Sequence, residues 1–176
     1  KISNSYVDNF NFNTPGSSKV GGIVGDIRTS TEVVNCAAVG EITAGSAVGG
    51  LIGATDANCT ISNCLVDVTS TAKSIVGGLI GSLGRSKVTK CYTMGEITAT
   101  EPDQWSGAYG AGGLFGEITT DWSGSTTIIA ENNLVALDAI NVPDNAVGVH
   151  RIAGITIFDE QWEAGETPWV EKGLKN

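Results

Sequence analysis

The sequence is short of charge, of aromatic rings and above all of cations. Only 16% of its 176 residues are charged, where about 25% is usual, and 6% are aromatic. Ten Lys and Arg stand against 19 Asp and Glu, for a net charge of −9. Binding to phosphate backbones or anionic lipid relies on clustered cations, so nucleic acid is excluded as an expected partner. No apolar run approaches the ~18 residues of a membrane helix, and no membrane span is read in this chain. Proline occurs four times, and the 24 glycines follow no Gly-X-Y period, which excludes collagen. Residues 1–100 show no 3.6-residue apolar period of useful length, so crossover helices are not expected. A disordered acidic tail is excluded too, because 41% of the residues are hydrophobic. The chain opens at Lys1-Ile2-Ser3 with no Met, no charged leader and no apolar segment. It reads as a piece of something longer.

What the chain does have is a repeat. Val20-Gly21-Gly22-Ile23-Val24-Gly25 returns as Val48-Gly49-Gly50-Leu51-Ile52-Gly53 and as Val76-Gly77-Gly78-Leu79-Ile80-Gly81, at a spacing of 28 both times. A fourth copy, Ala111-Gly112-Gly113-Leu114-Phe115-Gly116, follows at a spacing of 35, which places an insertion of about seven residues at Thr100 to Ser106. A degenerate fifth copy, Val149-His150-Arg151-Ile152-Ala153-Gly154, has lost the glycine pair and reads as a terminal repeat. Between these motifs lies a second one: Val33-Val34-Asn35-Cys36, Ile61-Ser62-Asn63-Cys64 and Val88-Thr89-Lys90-Cys91, with Ile2-Ser3-Asn4-Ser5 as a Ser-bearing version. A third follows as Gly40-Glu41-Ile42-Thr43, Val66-Asp67-Val68-Thr69 and Gly95-Glu96-Ile97-Thr98.

Each period thus holds three short strands rich in Val, Ile and Thr, alternating in period 2 and cornered by Gly, Ser and Asn. Such a unit cannot bury its own apolar face, whereas coaxial stacking of units buries a continuous core. The expected fold is all-β, a right-handed parallel β-solenoid of about four coils, one coil per period, over residues 1–155. Its handedness is taken from the general preference of parallel crossovers. Residues 156–176 are expected to form a cap or to begin the next segment. The Gly pairs are expected where the backbone turns or approaches a neighbour too closely for a Cβ. The third motif, aligned as above, makes the second coil two residues shorter between Cys64 and Asp67 and two longer between Thr69 and Val76.

These residues resemble the GLUG repeat, named for the Gly-Leu-apolar-Gly core present here at Gly50 to Gly53, Gly78 to Gly81 and Gly113 to Gly116. The resemblance covers roughly residues 1 to 155, and the tail is similar to the way such arrays close in secreted proteins of gut Bacteroidetes. It implies an exported, cell-surface location and an adhesive or interaction role, and it supplies no catalytic residues.

Cys36, Cys64 and Cys91 recur at spacings of 28 and 27, which predicts a ladder of small buried groups on successive coils. A bond between adjacent rungs stays open, since ~4.8 Å falls within the Cα range that disulfides accept. Cys59 falls outside that ladder and is expected to be free, and zinc ligation lacks a Cys-x-x-Cys or a second His. Glu41, Asp67 and Glu96 would form a carboxylate column if the coils stack in register. Solvated side chains are the preferred reading there, and bridging Ca²⁺ the alternative. His150 and Ser82 read as structural residues, no Gly-x-Ser-x-Gly elbow occurs, and no Lys, Arg or His recurs beside paired acids. Asn58-Cys59-Thr60 matches a glycosylation sequon, which carries no meaning for a bacterial protein. No cofactor, metal or catalytic residue is called for.

Trp105 and Tyr109 in the insertion and Trp122 in the next corner stand out in a chain poor in aromatics. They could form a platform for sugar rings, or cover the end of the core. The function expected is non-enzymatic: a structural or adhesive segment, a monomer or part of a longer chain, presenting a rigid face to a glycan or a host surface protein. The runner-up is an accessory domain docking a larger extracellular peptidase or glycosidase to its substrate. A glycan-cleaving β-helix and an ice-binding face, for which Thr43, Thr69 and Thr98 align, rank lower.

Overall fold

The computed structural model describes residues 1–104, 107–119, 128–144, 146–150 and 153–157, of which residues 155–157 are described by backbone alone. All regular structure among them is β, paired throughout in parallel, and no helix long and apolar enough to cross a membrane occurs. The chain visits three sheets in a fixed order. Strands Ile2–Ser3, Glu32–Val34, Cys59–Ser62, Ser86–Thr89 and Ile129–Glu131 lie side by side in the first. Val24–Ile27, Ile52–Thr55, Ile80–Leu83, Phe115–Thr119 and Ala153–Ile157 make the third, which we call the glycine sheet.

Between them runs a broad ten-stranded sheet of five rungs. Its first two rungs are single strands, Tyr6–Gly21 and Ala37–Gly49; the third splits into Leu65–Ala72 and Ile75–Gly77. The fourth is Tyr92–Met94, Glu96–Ala99 and Gly110–Gly112, and the fifth is Leu134–Val135, Ala139–Asn141 and Val149–His150. In the first sheet Ile2 pairs with Val33, Val33 with Ile61, Ile61 with Val88 and Val88 with Ala130, so successive laps take 31, 28, 27 and 42 residues.

Local chemistry sets the corners. Between the first and broad sheets the chain turns at Asn4, Asn35, Asn63, Lys90 and Asn132, all with φ between 54° and 57°. Asparagine tolerates this left-handed conformation because its short amide bonds locally. The amides also bond each other, Asn63 Nδ2 donating to Asn35 Oδ1 at 2.7 Å and Asn35 Nδ2 to Asn4 Oδ1 at 3.1 Å. At the other corner a Cβ on Gly49 would lie 2.6 Å from the backbone nitrogen of Gly81, and one on Gly50 would strike the carbonyl oxygen of Gly78. No side chain fits there, and backbone packs on backbone.

Inside, even-numbered positions of the second rung point to the core. Ala38, Ile42 and Ala44 are buried, and Val66, Val68, Ser70 and Ala72 repeat the pattern one rung on. A fully buried Ile such as Ile42 or Ile97 is worth about 1.5–3 kcal/mol relative to exposure. Phe10, 8% exposed, covers Gly40 at the end of this core, its ring 2.7 Å from where a Gly40 Cβ would stand and its centroid 4.7 Å from that of Phe12.

One expected alignment is corrected. Ala37–Thr43 pairs with Leu65–Thr71 residue for residue, so the counterpart of Gly40-Glu41-Ile42-Thr43 is Val68-Thr69-Ser70-Thr71. The two-residue shortening and lengthening of the second lap do not occur. A slip of two keeps every side chain on its own face, so alternation alone cannot distinguish the two registers, whereas an unbroken hydrogen-bond ladder can. The 31-residue first lap holds its surplus in two interruptions of the pairing with the second rung, at Asp8 and Asn9 and at Pro15 to Ser17.

Candidate functional site

The candidate site is the outer face of the first half of the broad sheet. Odd-numbered positions of the second rung face outward, and parallel pairing stacks them in columns about 4.8 Å per rung. One column is Asn13, Thr43, Thr71, Thr98 and Asn141. Beside it run Asn11, Glu41 and Thr69, continued by Glu96, which stands next to Thr69 because Ile97 pairs with Ser70. The amide of Asn11 donates to Glu41 Oε2 at 2.9 Å, and that of Asn141 lies 3.4 Å from both Glu96 Oε2 and Thr98 Oγ1. Asp67 belongs to the next column, between Val39 and Met94.

The carboxylate column expected from Glu41, Asp67 and Glu96 is therefore corrected. Thr69 separates the two glutamates and Asp67 is displaced sideways, a consequence of the straight register of the second lap. No group of three His, Cys, Asp or Glu side chains among the described residues is placed to hold a metal ion. The Thr column likewise runs through Thr71, not Thr69.

Where the first rung bulges at Asp8 and Asn9, with Asn9 at φ 54°, the face opens into a shallow cleft of about 330 Å³. Carboxylates of Asp8, Glu41 and Asp67 line it together with Asn11 and Thr69. The margin of the face is apolar: Tyr6, Ala37, Leu65, Tyr92 and Leu134 form one column, with Tyr6, Leu65 and Leu134 exposed by 64, 38 and 53%.

Of the aromatic trio, Trp105 and Trp122 lie outside the described residues, as do Arg151, Trp162, Trp169 and the segment 158–176. Tyr109 is half-buried against the core, its backbone nitrogen donating to the carbonyl oxygen of Val147 at 2.8 Å. The pairing between Ala99 and Ala72 is lost after Glu101 and regained at Gly110, so the extra segment of the fourth lap reaches Tyr109.

Cys36, Cys64 and Cys91 occupy one position of successive laps; all are buried and free. Each thiol donates to the carbonyl oxygen two residues earlier, at 3.3 to 3.4 Å, as the Ser5 hydroxyl does at 3.2 Å. Asn133 takes this place in the fifth rung, accepting from the Cys91 nitrogen at 2.9 Å and donating to Val88 at 3.0 Å. The neighbouring Cys64 thiol and burial together hold the Cys91 thiol well above the ordinary range. Cys59 is also buried and free, donating to the carbonyl oxygen of Arg28 at 3.2 Å. His150 is exposed on the last rung beside Gly112.

Sequence reasoning passed over Glu117, which pairs in register with Ser82 in the glycine sheet and is 9% exposed. Burial pushes its carboxyl above the ordinary 4.5, the Ser82 hydroxyl draws it partly back, and the charge of Asp103 adds to the rise. The available signal was a carboxylate following Gly116 at a position where Asp26, Ala54 and Ser82 precede it.

Scans against protein-family models, curated proteins and solved structures find no match for the chain.

Proposed function

We propose that this chain is a non-enzymatic, exported segment of a bacterial cell-surface protein, in which GLUG-type repeats wind into a right-handed parallel β-solenoid that presents the broad sheet as a binding face. The observation that supports this most directly is the column order of the outer face. Asn, Thr and carboxylate side chains repeat at fixed rung spacing on a backbone whose corners are locked by Asn hydrogen bonds and by Gly contacts. A rigid array of this kind binds by shape and hydrogen bonding with little ordering cost, since its side chains are already held by the sheet. Glycan chains and surface proteins are the ligand classes it fits.

The test is an array of glycans and extracellular proteins probed with the whole chain and with a T43A/T71A/T98A variant. Binding that falls at least fivefold in the variant supports the reading. Binding unchanged by it, or absent on every spot, ends it. A parallel comparison with Trp105, Tyr109 and Trp122 all changed to Ala reads out whether the aromatic trio contributes.

A further inference from the structure

The outer face of the first half of the broad sheet, where the candidate site lies, is charged with one sign only. Residues 6–14, 37–43, 65–71, 92–98 and 134–141 contain no Lys, Arg or His. Asp8, Glu41, Asp67 and Glu96 are all exposed among them. The ion-paired cations among the described residues lie outside these segments: Lys1 is paired with Glu32 at 2.9 Å on the first sheet, Lys19, farther along the first rung, and Arg28 reach Asp26 at 3.3 and 2.9 Å, and Lys73 reaches Glu101 at 3.7 Å. Among the described residues the carboxylates of this face thus have no ion-pair partner, although Asn11 and Asn141 lend amides to Glu41 and Glu96. Alongside them, within the same sheet, runs the exposed apolar column of Tyr6, Leu65 and Leu134, which over five rungs extends about 19 Å.

We infer that this face docks a basic polypeptide segment that carries both Lys or Arg and apolar side chains, the cations reaching the Asp8, Glu41 and Asp67 cleft while the apolar residues cover the Tyr6 to Leu134 column. The inference deepens the adhesive reading and rests on it. Three observations select this occupant. Charge complementarity requires a cation, and like-charged surfaces are rejected. No three of the acidic side chains among the described residues are placed to hold a metal ion, so the cation that joins them is larger and branched or flexible, as a guanidinium or an ammonium on a long stem is. An apolar strip beside the acids matches a chain whose stems and neighbours are apolar, and gives a neutral, wholly polar ligand nothing to cover.

The probe is a synthetic 12-residue peptide of alternating Lys and Leu, compared with its Glu and Leu counterpart and with polylysine, by fluorescence anisotropy on the whole chain. The Lys and Leu peptide is expected to bind at least tenfold tighter than polylysine of the same length, and the Glu and Leu peptide not at all. The E41Q/D67N/E96Q variant is expected to weaken it at least tenfold. An E32Q/E101Q/E131Q variant, which removes the same number of charges from other surfaces, leaves it within twofold. D67N alone, with unchanged circular dichroism, gives a threefold loss should the triple variant not fold. Equal losses in the two triple variants mean attraction to net charge alone and overturn the inference, as does absence of binding. Neutral oligosaccharides that bind this face while the Lys and Leu peptide does not would sink the inference and leave the adhesive reading standing; silence from both would sink the two together.

Discussion

The side-chain amide of Asn63 donates to the amide oxygen of Asn35 one lap earlier at 2.7 Å, and both residues turn the chain at φ close to +55°. Asparagine therefore serves this corner twice, by tolerating the left-handed backbone and by bonding along the stack. Lys90 holds the same corner at φ 56° with a side chain that does neither. K90N should stabilise the chain by about 1 kcal/mol, the order of the penalty an ordinary residue carries in that conformation. Thermal unfolding should show a rise of about 2–4 °C, and N63A a fall of similar size.

The two classes of glycine should respond oppositely to a methyl group. A Cβ on Gly49 meets backbone on two sides, at Ile52 and at Gly81, and neither can yield without opening the corner. G49A is expected to cost more than about 3 kcal/mol, at the severe end for point changes. Gly16 lies in the first-rung interruption with nothing within 4 Å of such an atom. G16A should be neutral or stabilising by up to about 1 kcal/mol, because it restricts the unfolded chain. Urea midpoints of the two variants check both signs.

Ser70 stands in the inward column between Ile42 and Ile97, fully buried, with no hydrogen-bond partner for its hydroxyl oxygen among the described residues. An unpaired buried hydroxyl costs about 1–3 kcal/mol. S70A removes that penalty and leaves only a small void, so the urea midpoint should rise with an unchanged slope.

Glu117 predicts a pH effect. Its folded pKa is raised above 4.5, so the folded chain holds a proton that the unfolded chain has released. The contribution to stability is complete below pH 4.5 and is lost as pH climbs through the folded value. E117Q cannot lose that proton. Its stability should match the parent near pH 4 and exceed it progressively toward neutrality, which melts at a series of pH values would register.

Much of this was legible from residues alone. The recurrence of Val-Gly-Gly and of Asn-Cys marked one pass through three sheets per period, although the third and later laps divide the pass through the broad sheet into two or three strands where the sequence suggests one, and the all-β parallel arrangement follows from units too small to bury their own apolar face. The glycine corners were readable because a residue without a Cβ, repeated at one spacing, marks a place where none fits. The shared position of Cys36, Cys64 and Cys91 was readable for the same reason, since equal spacing in a stack is equal position. The second lap was misread at Asp67 because Val-Asp-Val-Thr mimics Gly-Glu-Ile-Thr two residues out of step, and both alignments keep acids outward.

The sequence by itself determined the period, the strand content and the residues of each corner, because these depend on spacing and on local backbone preference. Only the tertiary structure decided which outward side chains become neighbours. That Thr69 separates Glu41 from Glu96, that Asp8 joins Glu41 and Asp67 around one cleft, and that Glu117 is buried all depend on register across laps some 28 residues apart. Register is fixed by hydrogen bonds between strands distant in sequence, and nothing within a single lap records it.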